Sequence, residues 1–407
     1  MTLQKILKVA LKGLLVFFGV LALFIVYLKI SEPKRIYTLN SELDITELPD
    51  DLKQTFFNTF DRYTKVTAPN GGAIHIVAQH QITNEQLIRC RNILEHYLKD
   101  YPDSVYGKDK SDIANKMVEN NAVLTLLNGQ DDGNLINLIR VGISGIFGQA
   151  LFYNEIQVEG HDWYVDQNYN HRDASYEEIL HFVHDNGIGV DGRNSLPGAM
   201  PDFQKEIRAA QINGQKNGIW ASGEREQDWI QELEEENSLS QEYLASVIDS
   251  YYGLWGAWNT AEGGMWGIYK AKTREELVTH DSEGYKLMQN KFFHPYLTYN
   301  ARIHDGFNGT YSLKFDAAVP YTNHSRYLKD ITLLGANDID VIVNELDNDV
   351  TGNAGVNTII FSGKSTEYTI QKGDDHIAIN DSILSRDGNN ILRKIDTIRF
   401  SDTSIQY

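Results

Sequence analysis

Cysteine is almost missing from this chain of 407 residues. The single one, Cys90, has no intramolecular partner, which excludes a disulfide framework and a cysteine-based zinc knuckle. Glycine (32) and proline (8) are too sparse for a mainly disordered or collagen-like protein. Basic charge is also short: 37 Lys and Arg against 56 Asp and Glu leave a net charge of -19, a field that repels phosphate backbones and argues against a nucleic-acid partner. Long hydrophobic runs are limited to one, so a polytopic membrane protein is excluded. There is no Gly-x-Ser-x-Gly elbow and no Gly-rich phosphate fingerprint, so the enzyme classes built on them drop away. What is present is 42% apolar residues, enough for a substantial core in roughly two to three domains.

The one long apolar run, Gly13 to Leu28, is flanked by Lys5, Lys8 and Lys12 before and by Lys29, Lys34 and Arg35 after. As a helix it measures roughly 24 Å, sufficient to cross a membrane core of about 30 Å when Lys12 and Lys29 snorkel. It reads as an uncleaved single-pass anchor over residues 1–30. A cleaved signal peptide is the competing reading, but the run ends in Tyr27-Leu28-Lys29-Ile30 without a small-x-small site. The lysines before the run favour an amino terminus inside, which predicts that the bulk of the chain is extracytoplasmic, in the periplasm or outside the cell.

Residues 31–50 read as a polar tether, 51–319 as an α+β domain and 320–407 as a small all-β module. Strands are predicted at Ala73 to Gln79, Ala122 to Leu127, Phe152 to Val158 and His161 to Val165. Capping-box spacing opens helices at Thr83/Gln86 and Ser238/Gln241. Further helices are predicted at Ser111 to Glu119, Pro201 to Ile212, Gln227 to Glu236 and Thr273 to Phe292. Trp255, Trp258 and Trp266 read as core filling or as a groove lining.

The chemistry concentrates in Asp173 to Gly187, where Gly187 is a stop signal. At 100° per residue Glu177, Glu178, His181, His184 and Asp185 share one face, while Ile179, Leu180, Phe182 and Val183 occupy the other. Glu177, His181 and His184, at i, i+4 and i+7, suit one divalent ion such as zinc, with Glu178 as general base. A surface helix with a solvated acidic face fits the same angles. A second stripe, Glu242, Ser246 and Asp249, offers a carboxylate from another helix; a first-turn glutamate that only favours its helix dipole is the alternative.

These two segments resemble the zincin metallopeptidases, specifically gluzincins of the anthrax lethal factor-like type. The resemblance implies Glu178 as the base, His181 as the second histidine of His-Glu-x-x-His and Glu242 as the later zinc ligand, with a peptide or protein substrate. Glu177 stands where the family has its first histidine, so an inactive zincin-derived envelope or adhesion protein is the alternative to a membrane-anchored metallohydrolase.

In the tail, Gly352-Asn353-Ala-Gly355-Val-Asn357-Thr-Ile359 resembles a nonapeptide of the calcium-binding RTX repeat of secreted bacterial proteins, and Gly335-Ala-Asn-Asp338-Ile-Asp340-Val-Ile342 fits the same register. The resemblance implies calcium at Asp338, Asp340, Asn353 and Asn357, with Ile342, Val350 and Ile359 following one another at the apolar position. An ordinary β domain with Asn/Asp turns is the alternative.

Overall fold

The computed structural model describes residues 3–407 apart from 56, 132–133, 193–194, 260 and 262, and side chains from residue 12 onward with 225 also excepted. It is a mixed α+β protein with twelve α-helices and three mixed sheets among those residues. The first helix, α1 (Leu3–Ile30), is apolar and exposed over Lys12 to Ile30, long enough to span a membrane or to act as a signal sequence. The Lys5 and Lys8 side chains lie outside those described.

The predicted tether is folded onto the body. Asn40 caps a short turn and bridges to Ile45, Ile45 is buried, Thr46 pairs with Tyr63, and Arg35 binds Glu47 at 3.0 Å. Its polar side chains cap and pair locally, which is why it lacks periodicity yet is ordered.

Four strands then form the first sheet, in the order β1 (Arg62–Thr67), β2 (Ala73–Ala78), β3 (Val123–Leu127) and β4 (Gln149–Phe152). β1 runs antiparallel to β2, and β2, β3 and β4 are parallel. Helices α2 (Asn84–Leu98) and α3 (Ser111–Glu119) connect β2 to β3, and α4 (Leu135–Ser144) connects β3 to β4. Alternation along the strands sends Ile74, Ile76, Leu124 and Leu126 into the main core, and Val77, Val123 and Leu127 into a smaller cluster with Phe60, Ile146 and Phe152 on the other face. The capping box at the start of α2 is present: Gln86 N donates to Thr83 Oγ1 and Thr83 N donates to Gln86 Oε1.

The fourth predicted strand, His161 to Val165, is instead helix α5 (Asp162–Asp166), where Trp163 and Tyr164 are buried side by side, an adjacency that a strand pleat would have separated. The third, predicted over Phe152 to Val158, is not a strand beyond its first residue: β4 ends at Phe152, and Tyr153–Glu155 is a helical turn closed by Glu155 Oε2 accepting from Phe152 N at 2.9 Å. Helix α6 (Ser175–Val183) follows and passes directly into a π-turn at His184–Ile188, ending at Gly189, whose φ of +94° suits glycine. The stop is thus two residues beyond Gly187.

Helices α7 (Pro201–Lys216), α8 (Gln227–Glu236) and α9 (Leu239–Tyr251) complete the body with α10 (Arg274–His280) and α11 (Ser282–Met288). Ser238 caps α9 without a side-chain bond because its own backbone is already helical. The single helix predicted over Thr273 to Phe292 is broken at Asp281, whose Oδ1 accepts from Gly284 N and whose Oδ2 accepts from the Tyr243 and Tyr269 hydroxyls. Trp255 stacks on Tyr169 in the core, whereas Trp266 is partly exposed.

The remaining strands coil between two sheets. β5 (Leu297–Ile303), β7 (Leu328–Leu333), β9 (Asp349–Thr351) and β13 (Asn389–Arg393) lie parallel in one, extended by the hairpin β11 (Tyr368–Lys372) and β12 (Ile377–Asp381). β6 (Gly309–Ser312), β8 (Ile339–Ile342), β10 (Asn357–Ile360) and β14 (Thr397–Arg399) lie parallel in the other, with β15 (Ser404–Gln406) antiparallel at its edge. Helix α12 (Thr322–Ser325) sits between β6 and β7. The sheets therefore begin upstream of residue 320, and β5 packs on α2 through His96 to Thr298 at 2.9 Å and Arg302 to Glu85 at 2.6 Å. Two ladders fill the coil: Ala301, Ile331, Val350, Leu392 and Tyr311, Val341, Ile359, Ile398, all buried. The predicted apolar register is off by one residue at Ile342: Val341 points inward, nine residues before Val350 and eighteen before Ile359.

Candidate metal centre

Helix α6 is buried on nearly all sides, so the solvated-surface reading of its acidic face does not hold. Ile179, Leu180, Phe182 and Val183 are fully buried, yet Glu177 and His181 are only 4% and 7% exposed. Its start is fixed by Asp173, whose Oδ1 accepts from Ser175 N at 3.1 Å and whose other oxygen binds Arg89. Arg89, from α2, is also paired with Glu159 and donates to the Tyr164 hydroxyl, giving a buried polar anchor beneath the site.

Helix α9 lies against α6 and brings Glu242 to His181. The Glu177, His181 and Glu242 ligand atoms all lie within 4.8 Å of one another, so this group can hold a metal ion, and it is the only group of three or more His, Cys, Asp or Glu side chains among the described residues that can. His181 Nε2 is buried without a hydrogen-bond partner and lies 3.8 Å from Glu242 Oε1. That gap is too long for a hydrogen bond. Two donors on one tetrahedral ion with bonds of roughly 2.1 Å would be about 3.4 Å apart, so a small closure admits an ion. One imidazole and two carboxylates form a nitrogen and oxygen donor set that zinc accepts. The residues present fit a divalent metal.

Glu178 faces the same cleft. Its Oε2 accepts from Gln149 Nε2 at 2.6 Å and lies 3.7 Å from His181 Nδ1. Burial works to raise the Glu178 pKa, but the His181 ring, the Gln149 amide and Arg172 outweigh it and hold the carboxyl below its ordinary value. Burial would likewise lower the His181 pKa; Glu242 and Glu178 reverse this and push it up to about 9. The cleft measures about 740 Å³ and is walled by Gln149, Glu178, His181, Asp185, Gln241 and Glu242, among others. Edge strand β4 forms one lip.

His184 is not brought to this group. Its Nε2 bonds Gln204 Oε1 of α7 at 2.6 Å, and burial lowers its pKa to about 4. The angular projection places it on the ligand face, but α7 covers that part of α6 and captures the ring. Asp249 is also diverted: it is fully buried and accepts from Arg172 and from Trp255 Nε1, both at 3.3 Å. Ser246 holds the Trp220 indole. Tyr176 and Tyr243 point to Tyr299 and Asp281, away from the cleft, and His171 is exposed.

Two side chains that contact the candidate site had no sequence signal. Arg172, in the loop before α6, binds Glu177 and Asp249 and lies over the Trp266 ring. Gln149 orients Glu178 from a different strand. Neither belongs to a periodic pattern or to a motif at short range.

The calcium candidates do not form a cation cage. Asp338 Oδ1 accepts from Val356 N at 2.7 Å and Asp340 pairs with Arg399 at 3.3 Å. Asn353 Nδ2 donates to the Leu334 and Asn337 carbonyls, both at 3.0 Å, and Asn357 Nδ2 donates to Asn353 Oδ1 at 2.9 Å. The turn carbonyls that would face an ion face amide donors instead. Comparison of the chain with protein families, curated proteins and solved structures returns no match.

Proposed function

We propose that the cleft is the active site of a zincin-like metallohydrolase acting on peptide bonds, with zinc held by Glu177, His181 and Glu242. The observation that carries this is the buried, unpartnered His181 Nε2 facing two carboxylates beside Glu178. A bound zinc would polarise a carbonyl and acidify a water. Glu178, kept anionic and aimed by the Gln149 amide, accepts the proton at its carboxylate and returns it to the leaving amine. An extended peptide would lie along the outer side of β4, which is the edge strand of its sheet. Lys5, Lys8 and Lys12, ahead of the apolar run within α1, support a body on the extracytoplasmic side, and the absence of a small-x-small site after the run supports a retained anchor. Calcium has no place in this reading.

A second reading, a metal-free binding scaffold of the same ancestry, is favoured by Arg172, which already neutralises Glu177. Elemental analysis of the full chain after zinc loading separates the two. The hydrolase reading expects bound zinc that His181→Ala loses and Glu178→Gln keeps, with peptide cleavage lost in both. A wild-type chain that takes up no zinc establishes the scaffold reading.

A further inference from the structure

Helix α4 is turned inside out. Its buried positions are polar, Asn137, Arg140 and Ser144, while Leu135, Ile136 and Leu138 are 71%, 38% and 42% exposed, and Phe147 just beyond it is 70% exposed. A helix on a water-facing surface carries the opposite arrangement, and a contiguous apolar patch of this kind marks a contact.

The buried polar residues show where that contact lies. Arg140 Nη2 donates to the Ser31 carbonyl and hydroxyl, each at 2.8 Å, and to the Leu28 carbonyl at 3.3 Å, so α4 is pinned to the carboxy-terminal end of α1. Asn137 pairs reciprocally with Gln79 at the end of β2, both bonds at 2.8 Å. The outward apolar face of α4 is therefore held next to the exposed apolar surface of α1, at the level where α1 would leave a bilayer. Phe147 extends the patch to Gly148 and Gln149, which line the candidate metal cleft.

We propose that α4 and Phe147 dip into the boundary between headgroups and acyl chains of the same membrane that α1 crosses. This second contact fixes the body against the lipid surface and sets the mouth of the cleft beside it. The polypeptides the cleft meets are then those presented at the membrane surface. The contact depends on α1 being a retained anchor, but not on the metal.

The test uses the full chain reconstituted in phosphatidylcholine and phosphatidylglycerol vesicles whose acyl chains carry bromine. Cys90 is fully buried, so a fluorophore on Leu138→Cys, Phe147→Cys, Ile25→Cys or the remote, 93% exposed Leu384→Cys reports one site each. An interfacial helix sits about 5 to 10 Å deep, so bromine quenching at positions 138 and 147 should exceed that at 384 by about threefold or more, and position 25 should be quenched as well. Equal quenching at 138 and 384 overturns the proposal. So does absence of quenching at 25, because α1 is then not in the membrane. Protection of 138 from aqueous iodide without bromine quenching overturns it in favour of a second protein copy on this face.

Discussion

Replacing Asn344 by Asp tests whether the β coil is held by amides or by a metal. Asn344 is fully buried in the turn after β8, and its amide makes four bonds. Nδ2 donates to the Arg326 and Leu328 carbonyls at 3.1 and 3.0 Å, and Oδ1 accepts from Leu346 N at 3.0 Å and Asn348 Nδ2 at 2.9 Å. Asp is isosteric but has no hydrogen to donate, so the two carbonyls of the preceding coil lose their partner and face a carboxylate. With about 1 to 3 kcal/mol for each of the two carbonyls left unpaired, the cost is about 2 to 6 kcal/mol, and Asn344→Ala, which also takes the acceptor from Leu346 N and Asn348 Nδ2, should cost at least as much. For cooperative unfolding of a chain of this length, at roughly 2.1 cal/mol/K per residue, that lowers Tm by about 5 °C. The assay is thermal unfolding by circular dichroism, in chelator and again in millimolar calcium. Wild type should show no calcium response, and Asn344→Asp should show an equal loss in both buffers. Recovery of the Asp variant by calcium, with none for the Ala variant, would show that the turn is a cation site and would refute the amide account. Asn353→Asp, which removes the donor to Leu334 and Asn337, should behave alike.

Three further outcomes follow from buried charges. Lys110 is 1% exposed, donates to Tyr97 O at 2.9 Å, and has its pKa pulled down to about 7 by burial against the pull of Asp100. The unfolded chain keeps that proton to about pH 10.4, so between about pH 7 and pH 10 it holds more protons than the native state, and this group's contribution to stability rises with pH by about 4 kcal/mol. Lys110→Met should therefore gain on wild type near pH 6 and lose that gain by about pH 10 in urea titrations; a flat difference contradicts the burial argument. Arg89→Met leaves Glu159 and Asp173 buried without their cation and should cost about 3 to 5 kcal/mol by denaturant unfolding, a loss below about 1 kcal/mol being incompatible with the anchor described. Arg172→Gln frees Glu177 from its guanidinium and should tighten zinc binding by about tenfold, or about 1.4 kcal/mol, in a competition titration; weaker binding would mean that Arg172 supports the ligand.

Periodicity made much of this molecule legible. The wheel over Glu177 to Val183 separates the apolar residues that face the core from the polar ones, and the nine-residue step from Val350 to Ile359 is the step from one buried ladder to the other, although the upstream turn was read at Ile342 where Val341 points inward. What periodicity could not supply was the identity of the surroundings. The wheel says that Glu177 and His181 share a side, not that α9 and the Arg172 loop bury that side. It puts His184 with them because angle ignores the packing of α7 above. The tether and the His161 to Val165 segment failed for a related reason: each is set by a few specific contacts, such as Arg35 with Glu47 or the Trp163 Nε1 bond to His171 O, and not by a repeating pattern. Helix α4 was not predicted at all, so the burial of its polar Asn137, Arg140 and Ser144 emerges only from the structure.

Helix α2 explains why these separate regions keep one geometry. On one side Gln86 binds the Tyr153 and Ile156 carbonyls, and Arg89 binds Asp173, which starts α6. Tyr97 donates to the Tyr176 carbonyl within α6, and His96 meets the Tyr252 hydroxyl at the end of α9. On its other side Glu85 and His96 hold β5, the first strand of the coil. The two helices that carry the candidate ligands are thus positioned by the same rigid element that seats the coil. Three side chains of α2 reach the start of α6, its Tyr176 carbonyl and the end of α9, and the 3.8 Å between His181 and Glu242 is a distance that side-chain rotation can close. Of the two carboxylates that would turn toward an ion, Glu177 is the one that must first release Arg172.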